Sequence, residues 1–131
     1  METYMDLYAY FEKTEGTGIL ATCDSDGIVD LAIYARPEVA GDLTIAFVMK
    51  ERLSHQNLRT NPHAAYMFIE KGESYKGHRF YLTKLREETN TSVIKELIKK
   101  QPEIAEPGDD ANKYLVYFHV DNIWPLVGEK T

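Results

Sequence analysis

The pattern of hydrophobic and polar positions predicts a chain built mainly of β-strands. Two apolar runs rich in branched side chains, residues 19–22 and 28–34, are joined by Asp24-Ser25-Asp26-Gly27, which is typical of a β-hairpin turn. In a third run, residues 43–49, alternate apolar side chains share one face, and we expect it to extend the hairpin into a meander. Three more strands are predicted at residues 64–69, 79–85 and 114–120, with residues 123–127 as a candidate extension of the last.

Three short helices accompany these strands. Residues 4–11 carry Tyr and Leu side chains at helical spacing, and residues 50–60 form a polar segment that ends at Asn61-Pro62. A third helix begins near Thr91, and residues 102–112 are predicted to form a loop. Six strands with hairpin connections and three helices indicate an antiparallel barrel or sandwich. A doubly wound parallel sheet fits less well, because the first three strands are too close together for helical crossovers.

Composition and charge narrow the function classes. The 131 residues, 44% hydrophobic and 27% charged, fit one folded domain over residues 1–131. Fifteen basic and 21 acidic residues give a net charge of −6, which repels nucleic-acid backbones and anionic membranes. We therefore expect neither a nucleic-acid nor a membrane partner. The single cysteine, Cys23, and a start without the features of a secretion signal favour the cytoplasm.

Several familiar site motifs are missing from the sequence. The four histidines, His55, His63, His78 and His119, show none of the paired spacings typical of zinc sites, and we expect no metal site. The sequence also lacks Gly-x-Ser-x-Gly, a phosphate-binding loop ending in Gly-Lys-Ser/Thr, and Gly-x-Gly-x-x-Gly. These absences argue against the common hydrolase, nucleoside-triphosphatase and dinucleotide-binding folds.

The most informative stretch is the passage from the third predicted strand into the second predicted helix. The first turn of that helix offers four donor side chains: Lys50, Arg52, Ser54 and His55. A helix start presents unpaired backbone N–H groups and the positive end of the helix dipole, so these donors would complete a pocket for an anion such as phosphate. The alternative from spacing alone is a solvated helix face on which Lys50, Arg52 and Arg59 pair with Glu51.

Two sequence segments and the order of elements carry a resemblance to a known family. One segment is Asn57-Leu58-Arg59-x-Asn61-Pro62-x-Ala64-Ala65, and the other is the early hairpin Gly18-Ile19-Leu20-Ala21-Thr22-Cys23-Asp24-Ser25-Asp26-Gly27. Over about residues 4–127 the chain resembles the pyridoxamine 5′-phosphate oxidase-like, FMN-binding split β-barrel family. The resemblance implies a six-stranded antiparallel split barrel and a homodimer that binds FMN at its subunit interface.

The resemblance also implies which residues bind FMN. Family members hold the phosphate partly with a basic residue after the second barrel strand, where this chain has Arg36. Phe47 and Val48 stand on the third strand, beside the cofactor.

The helix start contributes the remaining candidates. Many family members have Ser-Arg-Lys where this chain has residues 52–54, so Arg52 here offers the charge and Ser54 the hydroxyl. His55 is a further candidate donor, and Gln56 and Asn57 are candidates for ribityl or ring contacts. Asn57 serves equally well as a residue that ends the helix.

The function implied is that of an FMN-binding flavoprotein, an oxidoreductase acting on a small molecule or an electron carrier, with no catalytic side chain identified. An alternative is a non-enzymatic dimer that binds flavin or haem, with His55, His63 or His119 as candidate axial ligand. A third reading is a cofactorless interaction scaffold, since a fold alone does not fix a function.

Overall fold

The computed structural model describes residues 5–89, 91–100 and 113–128. Its helices are α1 (Leu7–Lys13), α2 (Leu53–Thr60) and α3 (Thr91–Lys100), and its strands are β1 (Gly16–Cys23), β2 (Val29–Ile33), β3 (Glu38–Gly41), β4 (Thr44–Lys50), β5 (His63–Glu70), β6 (Gly77–Glu88) and β7 (Lys113–Pro125). The predicted helices and strands are present with shifted ends, and β7 includes part of the candidate extension. The loop predicted at residues 102–112 lies outside the described residues.

All strands belong to one antiparallel sheet with the order β2-β1-β5-β6-β7-β4-β3. Each end strand, β2 or β3, pairs with one neighbour, so backbone hydrogen bonds do not close the sheet into a barrel among the residues described. The mainly β architecture with flanking helices is confirmed. The described residues contain seven strands where six were predicted, because the short strand β3 precedes β4.

The predicted hairpin is confirmed, but the meander is wrong. β1 pairs with β2 so that Ile19 lies opposite Ile33, and the Asp24 side chain accepts hydrogen bonds from the amides of Asp26 and Ile28 in the turn. β4 pairs with β3 and β7 and not with β2. The chain leaves the hairpin after β2, and β4 gains buried apolar partners on the more distant strand β7.

Side chains from the inner face of the sheet form the main core. The register places Leu20, Tyr66 and Phe80 side by side on β1, β5 and β6, and all three are fully buried. Helix α1 covers this cluster with Leu7 and Phe11. A smaller cluster lies under α3 and consists of Ala46, Ile94, Leu97 and Leu115.

Short polar signals set the helix ends. The side chain of Asp6 accepts a hydrogen bond from the amide of Ala9 and caps α1. Helix α2 ends at Thr60, two residues before Pro62. Of the helices in the described ranges, none has the length and apolar character needed to span a membrane.

Candidate functional site

A groove of about 530 Å³ lies between β2 on one side and the end of β4 with the start of α2 on the other. This volume falls within the roughly 300–1,000 Å³ that is typical of small-molecule sites. The groove is lined by Gly16, Thr17, Gly18, Asp30, Ala32, Ile33, Tyr34, Ala35, Arg36, Val48, Lys50, Arg52, Leu53 and Ser54. The lining therefore comes from β1, β2, β4 and α2.

The groove gathers positive charge at the strand-to-helix passage. Lys50, Arg52 and the hydroxyl of Ser54 come from this passage, and Arg36 joins them from the segment after β2. Asp30 contributes one carboxylate. Three cations, a hydroxyl and the amides at the start of a helix form a donor set suited to a phosphate.

The same groove also has apolar walls. Ala32 and Ile33 line it from β2, Val48 from β4, and Leu53 from the first turn of α2. A ligand with an anionic end and a flat apolar body would match both parts of this lining.

Arg36 is anchored by the end of α1. Its Nη1 donates to the carbonyl oxygens of Phe11 at 2.9 Å and Thr14 at 3.2 Å. These carbonyls carry partial negative charge at the end of the helix, which makes them good acceptors for a guanidinium. The contact fixes the side chain of Arg36 beside the groove without using an acidic residue.

Tyr66 is buried and contacts the backbone of two residues that line the groove, Tyr34 and Ala35. Its hydroxyl donates toward two carbonyl oxygens, that of Tyr34 at 3.0 Å and that of Ala35 at 3.1 Å. Burial raises the pKa of Tyr66, and this effect outweighs the charge of the nearby Arg36, which lowers the pKa. Tyr66 therefore remains a phenol that can donate a hydrogen bond. A Cβ at Gly18 would collide with this hydroxyl and with the Tyr34 carbonyl, so glycine is required there.

Of the nine residues proposed from the sequence, the structure brings five together in the groove: Arg36, Val48, Lys50, Arg52 and Ser54. The other four lie outside its lining. Phe47 is buried in the main core, and Gln56 is exposed on the outer side of α2. Asn57 is buried and its Nδ2 donates to Thr22 Oγ1 at 3.0 Å, which joins α2 to β1.

No residue of β1 or β2 was among the nine candidates, although both strands line the groove. Asp30 is the one polar side chain between Val29 and Leu31 in an apolar run, and alternation places it on the opposite face of the strand. That signal was available in the predicted hairpin. The role of Tyr66 depends on a contact across more than thirty positions of the chain, for which the sequence carries no local sign.

The three histidines considered as axial ligands do not line the groove. Both ring nitrogens of His55 face carboxylate oxygens, and His63 is exposed at the start of β5. His119 is also exposed, with its Nδ1 2.7 Å from Asp121 Oδ1. Throughout the residues that the structure describes, no three His, Cys, Asp or Glu side chains are arranged to hold a metal ion.

The outward face of the sheet is apolar at the β2 edge. This strand exposes Val29, Leu31 and Ile33, with exposed fractions of 74%, 70% and 71%. The register continues the row inward, since Ile33 lies opposite Ile19 and Ile19 opposite Met67. Contiguous exposed apolar surface of this kind is typical of an interface with another protein. We call these three exposed β2 residues the β2 stripe.

Comparison with known proteins identifies the fold. The sequence matches no protein-family model and no curated protein. An FMN-binding protein from Syntrophomonas wolfei subsp. wolfei is 19% identical, with a TM-score of 0.75 over 94% of this chain and 85% of that chain. A Lactobacillus delbrueckii protein, provisionally named a pyridoxamine 5′-phosphate oxidase, is 15% identical, with a TM-score of 0.66 over 91% and 89%. An F420 reductase is 16% identical, with a TM-score of 0.68 over 85% and 90%.

The chain therefore shares its fold with a group of solved proteins that includes an FMN-binding protein and proteins provisionally named pyridoxamine 5′-phosphate oxidases. The resemblance seen in the hairpin and in the segment after α2 is confirmed at the level of the fold. TM-scores of 0.66–0.75 show a shared architecture, and identities of 15–19% show no more than that. The ligand and the reaction must be argued from the groove itself.

Proposed function

We propose that this protein is a homodimeric flavoprotein that binds FMN in the groove between β2 and the start of α2. The observation that carries the proposal is the convergence of Arg36, Lys50, Arg52 and Ser54 on one groove with apolar walls. FMN has the matching chemistry, because it joins a dianionic phosphate to a flat aromatic ring system.

The phosphate would lie against the start of α2. Arg52 precedes the helix, and Ser54 is its second residue, so a guanidinium and a hydroxyl line the groove at the start of the helix. Lys50 adds charge from the end of β4, and Arg36 adds charge from across the groove. The isoalloxazine ring would lie along the apolar wall that includes Val48.

A second copy of the chain is the proposed cover for the open side of the groove. Ile33 belongs both to the groove lining and to the β2 stripe, so the apolar surface continues from one into the other. A two-fold dimer that buries the stripe would bring the same surface of each subunit together and would shield two identical grooves. This arrangement accounts for the exposed apolar side chains as well as for the ligand.

Bound flavin would supply the redox chemistry, accepting and donating electrons with a small molecule or an electron carrier. The chain's own residues would bind the phosphate, orient the ring and exclude water. We assign no catalytic side chain.

Titration with FMN tests the proposal directly. Binding followed by flavin fluorescence should be weakened about tenfold or more by Arg52→Ala, because a charge-assisted hydrogen bond contributes about 1.5 kcal/mol or more. Arg86→Ala is the matched control, since Arg86 is an exposed arginine that stacks on Tyr117 and does not line the groove. Equal affinity of wild type and Arg52→Ala would remove the phosphate assignment. Wild-type protein that fails to bind FMN would refute the function.

A further inference from the structure

His55 lies at the centre of a charged network where α2 packs against the sheet. Its side chain is fully buried, and its ring stacks on that of Tyr114 in β7, with the ring centroids 4.0 Å apart. The Nδ1 atom lies 2.6 Å from Glu51 Oε1, and the Nε2 atom lies 2.9 Å from Glu87 Oε1. Both ring nitrogens therefore face carboxylate oxygens.

This geometry makes His55 a bridge between two acidic residues, since each ring nitrogen lies at hydrogen-bond distance from a different carboxylate. Each carboxylate also has a cationic partner. Arg59 Nη2 lies 2.9 Å from Glu51 Oε2, and Lys84 Nζ lies 2.9 Å from Glu87 Oε1. We call these five ionisable residues the His55 network.

The charges of the network support one another. Burial raises the pKa of Glu87, but hydrogen bonds from Lys84 and His55 outweigh burial, and the net pKa lies below the ordinary value of 4.5. Glu87 is therefore a carboxylate at neutral pH, and His55 faces it from the buried side.

The network encloses the segment that lines the groove. Glu51 precedes Arg52 and His55 follows Ser54, so the bond between Glu51 and His55 spans residues 52–54. Helix α2 begins in this segment without a side-chain cap hydrogen bond from Arg52. The bond from His55 to Glu87 then ties the first turn of α2 to β6. The position of residues 52–54 therefore depends on the contacts of Glu51 and His55, which do not themselves line the groove.

We propose that His55 is a positioning residue for the groove: its ring joins Glu51 to Glu87 and thereby holds Arg52 and Ser54 where they bind the phosphate of the ligand. The identity of that ligand rests on the proposed function, whereas the network exists in the chain without it. On this proposal, residues that touch no ligand set part of the ligand affinity.

The first experiment uses protein labelled with ¹⁵N. Two-bond ¹H–¹⁵N correlations of the histidine rings give the chemical shifts of both ring nitrogens, and the spectrum of His55→Gln assigns the signals of His55. The proposal expects the Nε2 signal of His55 to move in Glu87→Gln and its Nδ1 signal to move in Glu51→Gln, before FMN is added. Signals that stay unchanged in either variant overturn it.

The second experiment compares Glu87→Gln with Glu96→Gln. Glu87→Gln keeps the size of the side chain but removes the charge that holds His55 against β6, and Glu96→Gln makes the same change on the exposed side of α3. In Glu87→Gln, amide exchange of residues 53–57 should accelerate about tenfold and the FMN dissociation constant should rise about tenfold, the scale of one lost hydrogen bond to a charged group. Glu96→Gln should match wild type in both.

The outcomes separate the two proposals. Unchanged exchange in Glu87→Gln overturns the role of His55, and so does faster exchange with unchanged FMN affinity. If wild-type protein binds no FMN, the proposed function fails, and exchange of residues 53–57 alone then decides on His55. Acceleration in Glu87→Gln supports the positioning role in that case, and its absence overturns it.

Discussion

Replacing Leu31 by aspartate is expected to dissociate the proposed dimer while leaving the fold of each subunit intact. Leu31 lies in the middle of β2, points away from the core and is 70% exposed in the single chain. The substitution therefore removes apolar surface that the subunit itself does not use. In a dimer, the aspartate carboxylate would be removed from water without a partner, which is costly. The charge therefore favours the separated subunits.

The magnitude follows from the exposed fraction. Complete burial of a leucine side chain contributes about 1.5–3 kcal/mol, so burial of the exposed 70% contributes about 1–2 kcal/mol in each subunit. A two-fold interface contains the residue twice, which gives about 2–4 kcal/mol per dimer. The dimer dissociation constant should therefore rise roughly 30- to 700-fold, before the cost of burying the carboxylate is added.

Sedimentation velocity over a range of protein concentrations measures this change. Leu85→Asp is the matched control, because Leu85 is a leucine of β6 with 55% exposure that lies outside the β2 stripe. Circular dichroism of both variants checks that the subunits remain folded. The reasoning is refuted if wild-type protein sediments as a monomer at every concentration, or if Leu31→Asp associates as tightly as wild type.

Three further changes probe the framework of the groove. Asn57→Ala should lower the free energy of unfolding by about 1–3 kcal/mol in urea denaturation, because it leaves the buried hydroxyl of Thr22 without its partner. Gly18→Ala should cost about 1–3 kcal/mol in the same assay and should also weaken FMN binding, since the added methyl group displaces the hydroxyl of Tyr66. Because the pKa of Glu87 lies below its ordinary value of 4.5, its stabilising effect is complete above about pH 4.5 and is lost as the pH falls through the lowered pKa. The unfolding free energies of wild type and Glu87→Gln should therefore converge in acid.

Controls for these changes are available in the same chain. Gln56→Ala alters the exposed neighbour of Asn57 and should leave the unfolding free energy nearly unchanged. Gly41→Ala adds a methyl group that meets Thr44 at an ordinary distance of 3.5 Å, so it should be tolerated. Equal costs for Gly18→Ala and Gly41→Ala would contradict the steric argument. A difference between wild type and Glu87→Gln as large in acid as at neutral pH would contradict the linkage argument.

The fold was predictable where the signals were local. The Asp-Gly turn predicted the β1–β2 hairpin, and the proline at residue 62 predicted the end of α2. β3 was missed because its four residues, Glu38–Gly41, show no alternation of apolar and polar side chains. The partner of β4 was also misassigned, since β7 lies more than sixty positions further along the chain and pairing at that distance leaves no local sign.

The candidate site was also only partly predictable from the sequence. Residue types at the strand-to-helix passage pointed to Lys50, Arg52 and Ser54, and the structure places all three in one groove. The sequence also predicted His55 as a donor for the ligand. In the structure, helical geometry turns His55 away from the groove and toward Glu87, a carboxylate 32 positions away. A helix start shows which donors are available, but tertiary contacts determine which of them face the ligand.

The free edge of β2 carries a consequence for how the molecule is made. Its outward backbone groups lie beside the β2 stripe, and among the described residues this edge has no neighbouring strand. A free strand edge with exposed apolar side chains is a template on which other chains add as extra strands, which is a route to aggregation. If two copies pair as proposed, a newly synthesised copy faces a kinetic competition between dimerisation and uncontrolled polymerisation, and the yield during expression should depend on how quickly two copies meet.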